Sequence, residues 1–199
     1  MKLVKTLIAV AVAACAINAN ATLSFSAAAA AGASSGGPLS LTSLTGPGTL
    51  ANVSGSVVNV RTTPMGLGAT DPYSVISIGG SAVLLFGTPV SSFSFLWGSP
   101  DSGNMLDITT SSGLETYSGT SFKTLVGATG DGLNSFSRVF TMTGSAGQTI
   151  NSIKFSSSNI AFEVATAPVP EPETYALMLA GLGAVGFMAR RRRSSQASV

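Results

Sequence analysis

The chain has no histidine, and Cys15 is the single cysteine among its 199 residues. Without histidine it lacks the commonest general base of enzymes and the commonest transition-metal ligand. One cysteine excludes an internal disulfide framework and a zinc–thiolate cluster. Charged residues make up only 9% of the chain, and no Walker-type phosphate loop is present. We therefore predict that the protein is not an enzyme and that it has no cofactor.

Basic charge is scarce in the middle of the chain. Between Thr22 and Ala167 there are four basic and six acidic side chains, which gives a net charge of −2. The basic sequence pI of about 8.9 therefore reflects Lys2 and Lys5 at one end and the arginines 190–193 at the other. Binding to nucleic acid depends on a basic patch that displaces counterions, so a nucleic-acid partner is excluded.

The first 21 residues have the pattern of a secretory signal peptide, with a helical apolar segment. Lys2 and Lys5 precede the apolar residues 7–17, and Ala19 and Ala21 form a small-x-small cleavage site. This pattern predicts the Sec translocon and signal peptidase as partners and a mature chain that starts at Thr22. An alternative remains open, because residues 12–15 resemble a lipobox that would make Cys15 a lipidated first residue.

The exported part divides by composition into two regions. Residues 22–50 are rich in alanine, glycine and serine, which predicts a low-complexity leader outside the folded domain. Residues 51–167 contain short runs with alternating apolar and polar residues, separated by turn residues. We predict an antiparallel β-sandwich domain here, jelly-roll-like in arrangement, with no amphipathic helix. The predicted strands are 56–61, 73–78, 82–86, 92–97, 105–109, 114–117, 122–126, 135–142, 150–156 and 160–164, with a hairpin turn at Gly79-Gly80.

A few residues of the predicted domain are candidates for binding. Asp101, Asn104 and Asp107 are oxygen-bearing side chains around a glycine-containing turn, and such spacing can hold Ca²⁺. The segment is explained more simply as a turn whose side chains bond their own backbone, so we predict no metal site and keep the three as weak candidates.

Aromatic residues and one arginine are further candidates for contact with a ligand. Trp97 shares strand parity with Phe93 and Phe95, which favours the core over a sugar-stacking platform. Arg138 is predicted to extend along a sheet edge or to pair with a carboxylate. Tyr73 and Tyr117 remain as the aromatics expected to be exposed.

The last 32 residues contain three distinct elements in a fixed order. Prolines alternate with other residues in 168–172, which predicts an extended tether. Residues 175–189 are uncharged and apolar, and as a helix they would span about 22 Å, less than the roughly 30 Å hydrocarbon core. Four arginines follow and should remain on the cytoplasmic side. We predict a C-terminal transmembrane helix here, followed by a short tail, 194–199.

This arrangement resembles the PEP-CTERM sorting signal of exosortase substrates over residues 168–193. The residues that carry the resemblance are Val169, Pro170, Glu171, Pro172, Arg190, Arg191, Arg192 and Arg193. The resemblance implies a Gram-negative cell, a transient inner-membrane anchor and removal of the tail by an exosortase-type enzyme. It also implies delivery to the outer surface or the extracellular matrix.

The body shows a second resemblance. The block 93–104, which contains Trp-Gly-Ser-Pro-Asp-Ser, is similar to a block in some exosortase-dependent surface proteins, and residues 153–164 are similar to their last strands. Two functions are compatible with these features. The first is a structural component of a biofilm or exopolysaccharide matrix, and the alternative is an extracellular carbohydrate-binding module, with or without calcium.

Overall fold

In the computed structural model, the described residues are 22–30, 37–57, 60–132, 136–167, 179–183 and 185. Ahead of residue 168 they form eleven β-strands and one short helix, so the chain is mostly β, as predicted. The elements in chain order are β1 (Leu23–Ala29), β2 (Leu41–Thr45), β3 (Leu50–Val53), β4 (Tyr73–Ile76), β5 (Ser81–Val90), β6 (Ser92–Trp97), β7 (Asn104–Thr110), β8 (Gly113–Ser118), α1 (Gly119–Val126), β9 (Arg138–Gly144), β10 (Ile150–Ser157) and β11 (Phe162–Thr166).

The strands form two antiparallel sheets. The six-stranded sheet has the order β1-β9-β6-β11-β4-β3, and the five-stranded sheet has the order β2-β5-β10-β7-β8. Strands adjacent in sequence often lie in different sheets. For example, β4 pairs with β3 and β11 in the six-stranded sheet, whereas β5 pairs with β2 and β10 in the five-stranded sheet. Buried side chains from both sheets belong to one continuous hydrophobic cluster. The two sheets therefore pack over a shared core.

Aromatic rings fill the centre of that core. Phe95 and Trp97 on β6 are fully buried, and the Phe95 ring lies 5.6 Å from the ring of Phe155 on β10, in the other sheet. Trp97 also lies 5.1 Å from the ring of Phe162 on β11. Fully burying one such side chain contributes about 1.5–3 kcal/mol. The strand parity of the sequence identified this face of β6, and Trp97 is a core residue.

The predicted leader at 22–50 is wrong over most of its described length. Leu23–Ala29 forms β1 and pairs with β9 at seven consecutive positions, and β2 begins at Leu41, whose side chain is buried. The inward side of β1 carries Leu23 and Phe25, with serines on the other side. The alternation of apolar and polar residues ends at Ser26. The alanines that follow are apolar on both faces of the strand, so the sequence gives no strand signal there.

The predicted strand at 122–126 is also wrong, because these residues belong to α1. The helix starts after Ser118, which has extended backbone angles, and it ends at Gly127 in the left-handed conformation. Phe122 is buried, and its ring lies 4.8 Å from Trp97 and 5.1 Å from Phe25. The segment has apolar residues only at 122, 125 and 126, and five residues are too few for periodicity to distinguish a strand from a short helix.

Two further predictions need correction at the turns. Gly80 N–H donates to Ser77 O at 2.8 Å, so a turn exists at Gly79-Gly80, but it connects the two sheets and does not form a hairpin. The predicted strand at 56–61 is reduced to a single bridge between Val57 and Arg61. The Val57 backbone oxygen accepts the N–H groups of Val60 and Arg61, each at 3.0 Å, so a turn interrupts the predicted strand.

The close approach of α1 to the loop after β6 predicts a large effect of one methyl group. A Cβ at Gly119 would overlap the backbone oxygen of Asp101, which cannot rotate away. We expect Gly119→Ala to lower the free energy of unfolding by about 2 kcal/mol or more, despite the better helix propensity of alanine. Gly87→Ala is the matched control, because no atom of the residues that the structure describes lies within 4 Å of its added Cβ, and it should change stability by less than about 0.5 kcal/mol. Urea denaturation of both variants tests this; equal stabilities would contradict the packing described.

Candidate functional site

A cavity opens at the end of the two sheets where β4, β6 and β10 finish and β11 begins. Its volume is about 460 Å³, and its lining includes Arg61, Thr62, Ile78, Ser99, Asn159 and Glu163. The lining comes from five separate stretches of chain, so the packing of the sheets sets their relative positions. We call it the Glu163 cavity.

Glu163 is the acidic group of this cavity. It lies on β11 between the buried residues Phe162 and Val164 and is itself only 5% exposed. The Thr62 N–H donates to its Oε1 at 3.0 Å. Burial raises the pKa of the Glu163 carboxyl to about 7, against the lowering effects of the Thr62 N–H and the Arg61 charge. Near neutral pH this carboxyl therefore changes between a proton donor and an acceptor.

Arg61 provides the cationic group. Its Nε donates to the backbone oxygen of Gly55 at 3.3 Å, and the hydroxyl of Tyr73 donates to the same oxygen at 2.7 Å. The guanidinium lies close enough to Glu163 to lower the pKa of that carboxyl. The cavity thus combines one cation, one titratable carboxyl, and the neutral polar side chains of Ser99 and Asn159.

Asp101 and Asp131 fix the loop that forms one wall of the cavity. Asp101 is fully buried and accepts the N–H of Gly132 at 2.5 Å and the hydroxyl of Ser99 at 3.1 Å, and burial raises the pKa of its carboxyl. Asp131 binds the Ser102 N–H and hydroxyl, and its ion pair with Lys123 at 2.5 Å connects it to α1. The Lys123 ammonium and these Ser102 groups lower the pKa of Asp131 to about 2.

The three weak metal candidates do not come together. Asn104 Oδ1 accepts the backbone N–H of Asp101 at 2.8 Å, and its amide donates to Ile160 O at 2.9 Å. Asp107 has the opposite parity on β7 and accepts the hydroxyl of Thr116 instead. Within the described part of the chain, no group of three or more His, Cys, Asp or Glu side chains is placed to hold a metal ion. Asp101 and Asn104 connect the loops around the cavity.

The two tyrosine candidates and Arg138 are buried or half-buried and make contacts within the protein. Tyr73 is fully buried, so the expectation that it is exposed is wrong; its position on β4 faces a second small cluster with Leu96. Tyr117 is half-buried, and its hydroxyl donates to Glu115 at 2.5 Å. Arg138 is half-buried at the start of β9 and donates to Ser137 O at 2.8 Å.

Sequence reasoning missed Arg61 and Glu163 as a pair. They lie about one hundred residues apart in the chain, and no local pattern connects them. The available signal was a single carboxylate inside the apolar strand Phe162–Thr166, since an acid is almost never fully buried without a partner.

The raised pKa of Glu163 predicts a pH-dependent stability. The folded protein holds this proton more tightly than the unfolded chain, whose carboxyl has an ordinary value of 4.5. The resulting stabilisation is complete below about pH 4.5 and is lost as the pH rises through about 7. We expect the stability of Glu163→Gln relative to wild type to increase by about 2–3 kcal/mol between pH 5 and pH 8.5. Urea unfolding at each pH measures it, with Asp107→Asn as control; a difference that stays constant with pH would contradict the burial of an ionising carboxyl.

The folded domain ends directly ahead of the predicted sorting signal. At the end of β11, the Thr166 N–H donates to Gly37 O at 2.8 Å, and its hydroxyl accepts the Gly37 N–H at 2.6 Å. β11 lies inside the six-stranded sheet, between β6 and β4. The predicted signal residues themselves, Val169 to Pro172 and Arg190 to Arg193, and the predicted cleavage residues Ala19 and Ala21 lie outside the described residues.

Two antiparallel sheets define a mostly-β protein. Residues 168–193 match the model of the PEP-CTERM protein-sorting motif, which confirms the predicted signal and supports export and processing by an exosortase. No curated protein and no solved structure is significantly similar to the chain. Residues 179–183 and 185 are helical, and none of the helices in the described residues is long and apolar enough to span a bilayer.

Proposed function

We propose that the protein is a non-catalytic structural component of the cell surface or of an exopolysaccharide or biofilm matrix, sorted there by its C-terminal signal. The observation that carries the proposal is the PEP-CTERM motif at 168–193, which follows a folded β-domain after Ala167. A folded domain joined to a sorting signal fits a structural protein whose role depends on its location. The absence of histidine from the whole chain supports a role without catalysis.

The proposed route begins at the N-terminus. The Sec translocon exports the chain of a Gram-negative cell, and signal peptidase removes residues 1–21. The start of β1 supports a cut after Ala21, because Thr22 N–H donates to Ser145 Oγ at 3.0 Å and Leu23 N–H donates to Glu115 at 3.2 Å. The mature chain would thus begin where the fold begins. Lipidation at Cys15 remains the alternative and would add seven residues ahead of β1.

The proposed route ends at the inner membrane. Residues 175–189 form the transient transmembrane helix, and the four arginines hold residues 190–193 on the cytoplasmic side. An exosortase then cuts in or near the tether and releases the domain toward the outer surface. In this proposal the folded unit extends from β1 through residue 167 in a jelly-roll-like arrangement, and the resemblance of block 93–104 to surface proteins supports the same destination.

Protease treatment of intact cells tests the proposed location. Cells expressing the wild-type chain should lose the protein to external protease, whereas a chain that lacks residues 168–199 should no longer be found on the surface. A periplasmic reporter that survives the treatment serves as the control for envelope integrity. Equal surface exposure of both chains would contradict sorting by the C-terminal signal.

A carbohydrate-binding module is the second candidate function. The observation that favours it is the Glu163 cavity. The tyrosines and the candidate calcium ligands suggested by the sequence do not support it.

A further inference from the structure

We infer that the Glu163 cavity binds an uncharged pyranose unit of an extracellular polysaccharide. This inference rests on the proposed function in one respect, because only an exported protein meets such polymers. It adds the site, its residues and the chemical class of the ligand. Five observations carry it: the size of the cavity, its polar groups, its charge balance, its apolar rim and the burial of the Glu163 carboxyl.

The dimensions of the cavity suit a small polar ligand. A volume of about 460 Å³ lies within the range of roughly 300–1,000 Å³ typical of small-molecule sites. The cavity lies among the loops that connect the strands. Its walls belong to strand ends and to the loop fixed by Asp101, and hydrogen bonds within the protein hold these walls in place.

The polar groups of the cavity complement hydroxyl groups. A sugar hydroxyl both donates and accepts hydrogen bonds. Glu163 supplies an acceptor, Arg61 supplies donors, and the amide of Asn159 supplies both. A set with donors and acceptors on different walls fits a ligand with several hydroxyls around a ring.

The charges of the cavity favour a neutral ligand over an ion. Glu163, with Asp101 behind it, would repel the negative charge of an anionic sugar, and Arg61 would repel a cation. Neither charge is in excess among the lining residues, so an uncharged ligand meets the least repulsion.

An apolar rim completes the site. Val60 and Ile78 line the cavity and are 56% and 57% exposed. Two aliphatic side chains beside the polar groups can cover the C–H face of a pyranose ring, a role often taken by an aromatic ring in other sugar sites. Their exposure to water is explained when a ligand covers them.

The burial of a carboxyl at Glu163 is itself costly. The Thr62 N–H at 3.0 Å and the Arg61 charge favour the carboxylate, but burial outweighs them, and a glutamine would accept the same bond without carrying a charge. Stability at neutral pH and above therefore gives no reason for an acid at this position. A ligand hydroxyl that donates to the carboxylate supplies the reason, since hydrogen bonds to charged acceptors are about twice as strong as neutral ones.

The test measures binding by the full-length chain in detergent. A panel of neutral oligosaccharides of glucose, galactose, mannose, xylose and N-acetylglucosamine is screened, beside uronate oligomers and Ca²⁺ as separate arms. We expect saturable binding to at least one neutral oligosaccharide. Glu163→Gln should weaken it at least tenfold, and Ile78→Ser, which changes an exposed rim residue and spares the core, should weaken it at least threefold. NMR shifts of the Thr62 and Ile78 amides on titration report the location.

Asp107→Asn on β7, outside the cavity, is the matched control and should bind like wild type. Absence of binding to every neutral oligosaccharide, binding to uronates or Ca²⁺ alone, or neutral-sugar binding unchanged in both cavity variants would overturn the inference. The experiment uses purified protein, so its failure leaves sorting by the C-terminal signal untouched, and a failure of sorting leaves the measured binding untouched.

Discussion

Replacing Pro170, Glu171 and Pro172 together by alanine should leave nearly all of the exported chain uncut at its C-terminus. The prolines keep this stretch extended, and an extended backbone is the conformation in which a protease binds its substrate. Three alanines would instead favour continuation of the following apolar helix toward the domain. The expected loss of the processed form is close to complete, because the change removes the Pro-Glu-Pro sequence on which the resemblance to the signal rests.

Intact mass of the protein from membrane and medium fractions measures this effect. The triple variant should accumulate in the membrane fraction with Val199 as its last residue. Glu173→Ala is the matched control, since it lies just beyond the altered residues and should be processed like wild type. A triple variant with the wild-type mass and distribution would show that these residues do not direct processing.

Trp97→Ala should lower the free energy of unfolding by about 3–5 kcal/mol. The indole is fully buried and lies within 6 Å of the rings of Phe95, Phe122, Phe140 and Phe162, so its removal leaves a large void between the sheets. A domain of this size has a total stability of about 5–15 kcal/mol, so the variant should be partly unfolded at growth temperature.

Two controls separate the cavity from other effects of this change. Trp97→Phe keeps an aromatic ring and removes an indole N–H that has no hydrogen-bond partner among the described residues, so it should lose less than half as much stability. Leu114→Ala changes a residue that is 66% exposed and should cost less than about 0.5 kcal/mol. Urea denaturation measures all three; a loss below 1 kcal/mol for Trp97→Ala would contradict its central place in the core.

The strands with a clear alternation were predictable from the sequence. Ser92–Trp97 has the predicted bounds, and the inward face with Phe93, Phe95 and Trp97 follows from the period of two. β7 and β10 were located within a residue or so for the same reason. The mostly-β class followed from these runs and from the turn residues between them.

Other parts depend on partners that a sequence does not show. β1 is a strand because β9 offers it seven pairing positions, and its alanines carry no preference that reveals this. The helical conformation of α1 is stabilised by contacts of the Phe122 ring with the rings of Trp97 and Phe140. Tertiary contacts decide both cases, and local propensity is only a weak guide there.

The candidate site could not be predicted for a related reason. Arg61, Thr62 and Glu163 meet through a contact across 101 positions in the chain. The sequence directed attention to Asp101 and Asn104, which are close in sequence and in the structure form hydrogen bonds that hold the loops. The sorting signal is the opposite case, because its three elements are contiguous and need no fold to be recognised.

Intact mass spectrometry of the wild-type protein from cells with and without an active exosortase tests the central claim most directly. With the enzyme, the account predicts a chain that starts at Thr22 and ends ahead of Arg190, and without it a chain that still ends at Val199. A mature protein that retains Val199 in exosortase-positive cells would contradict the account.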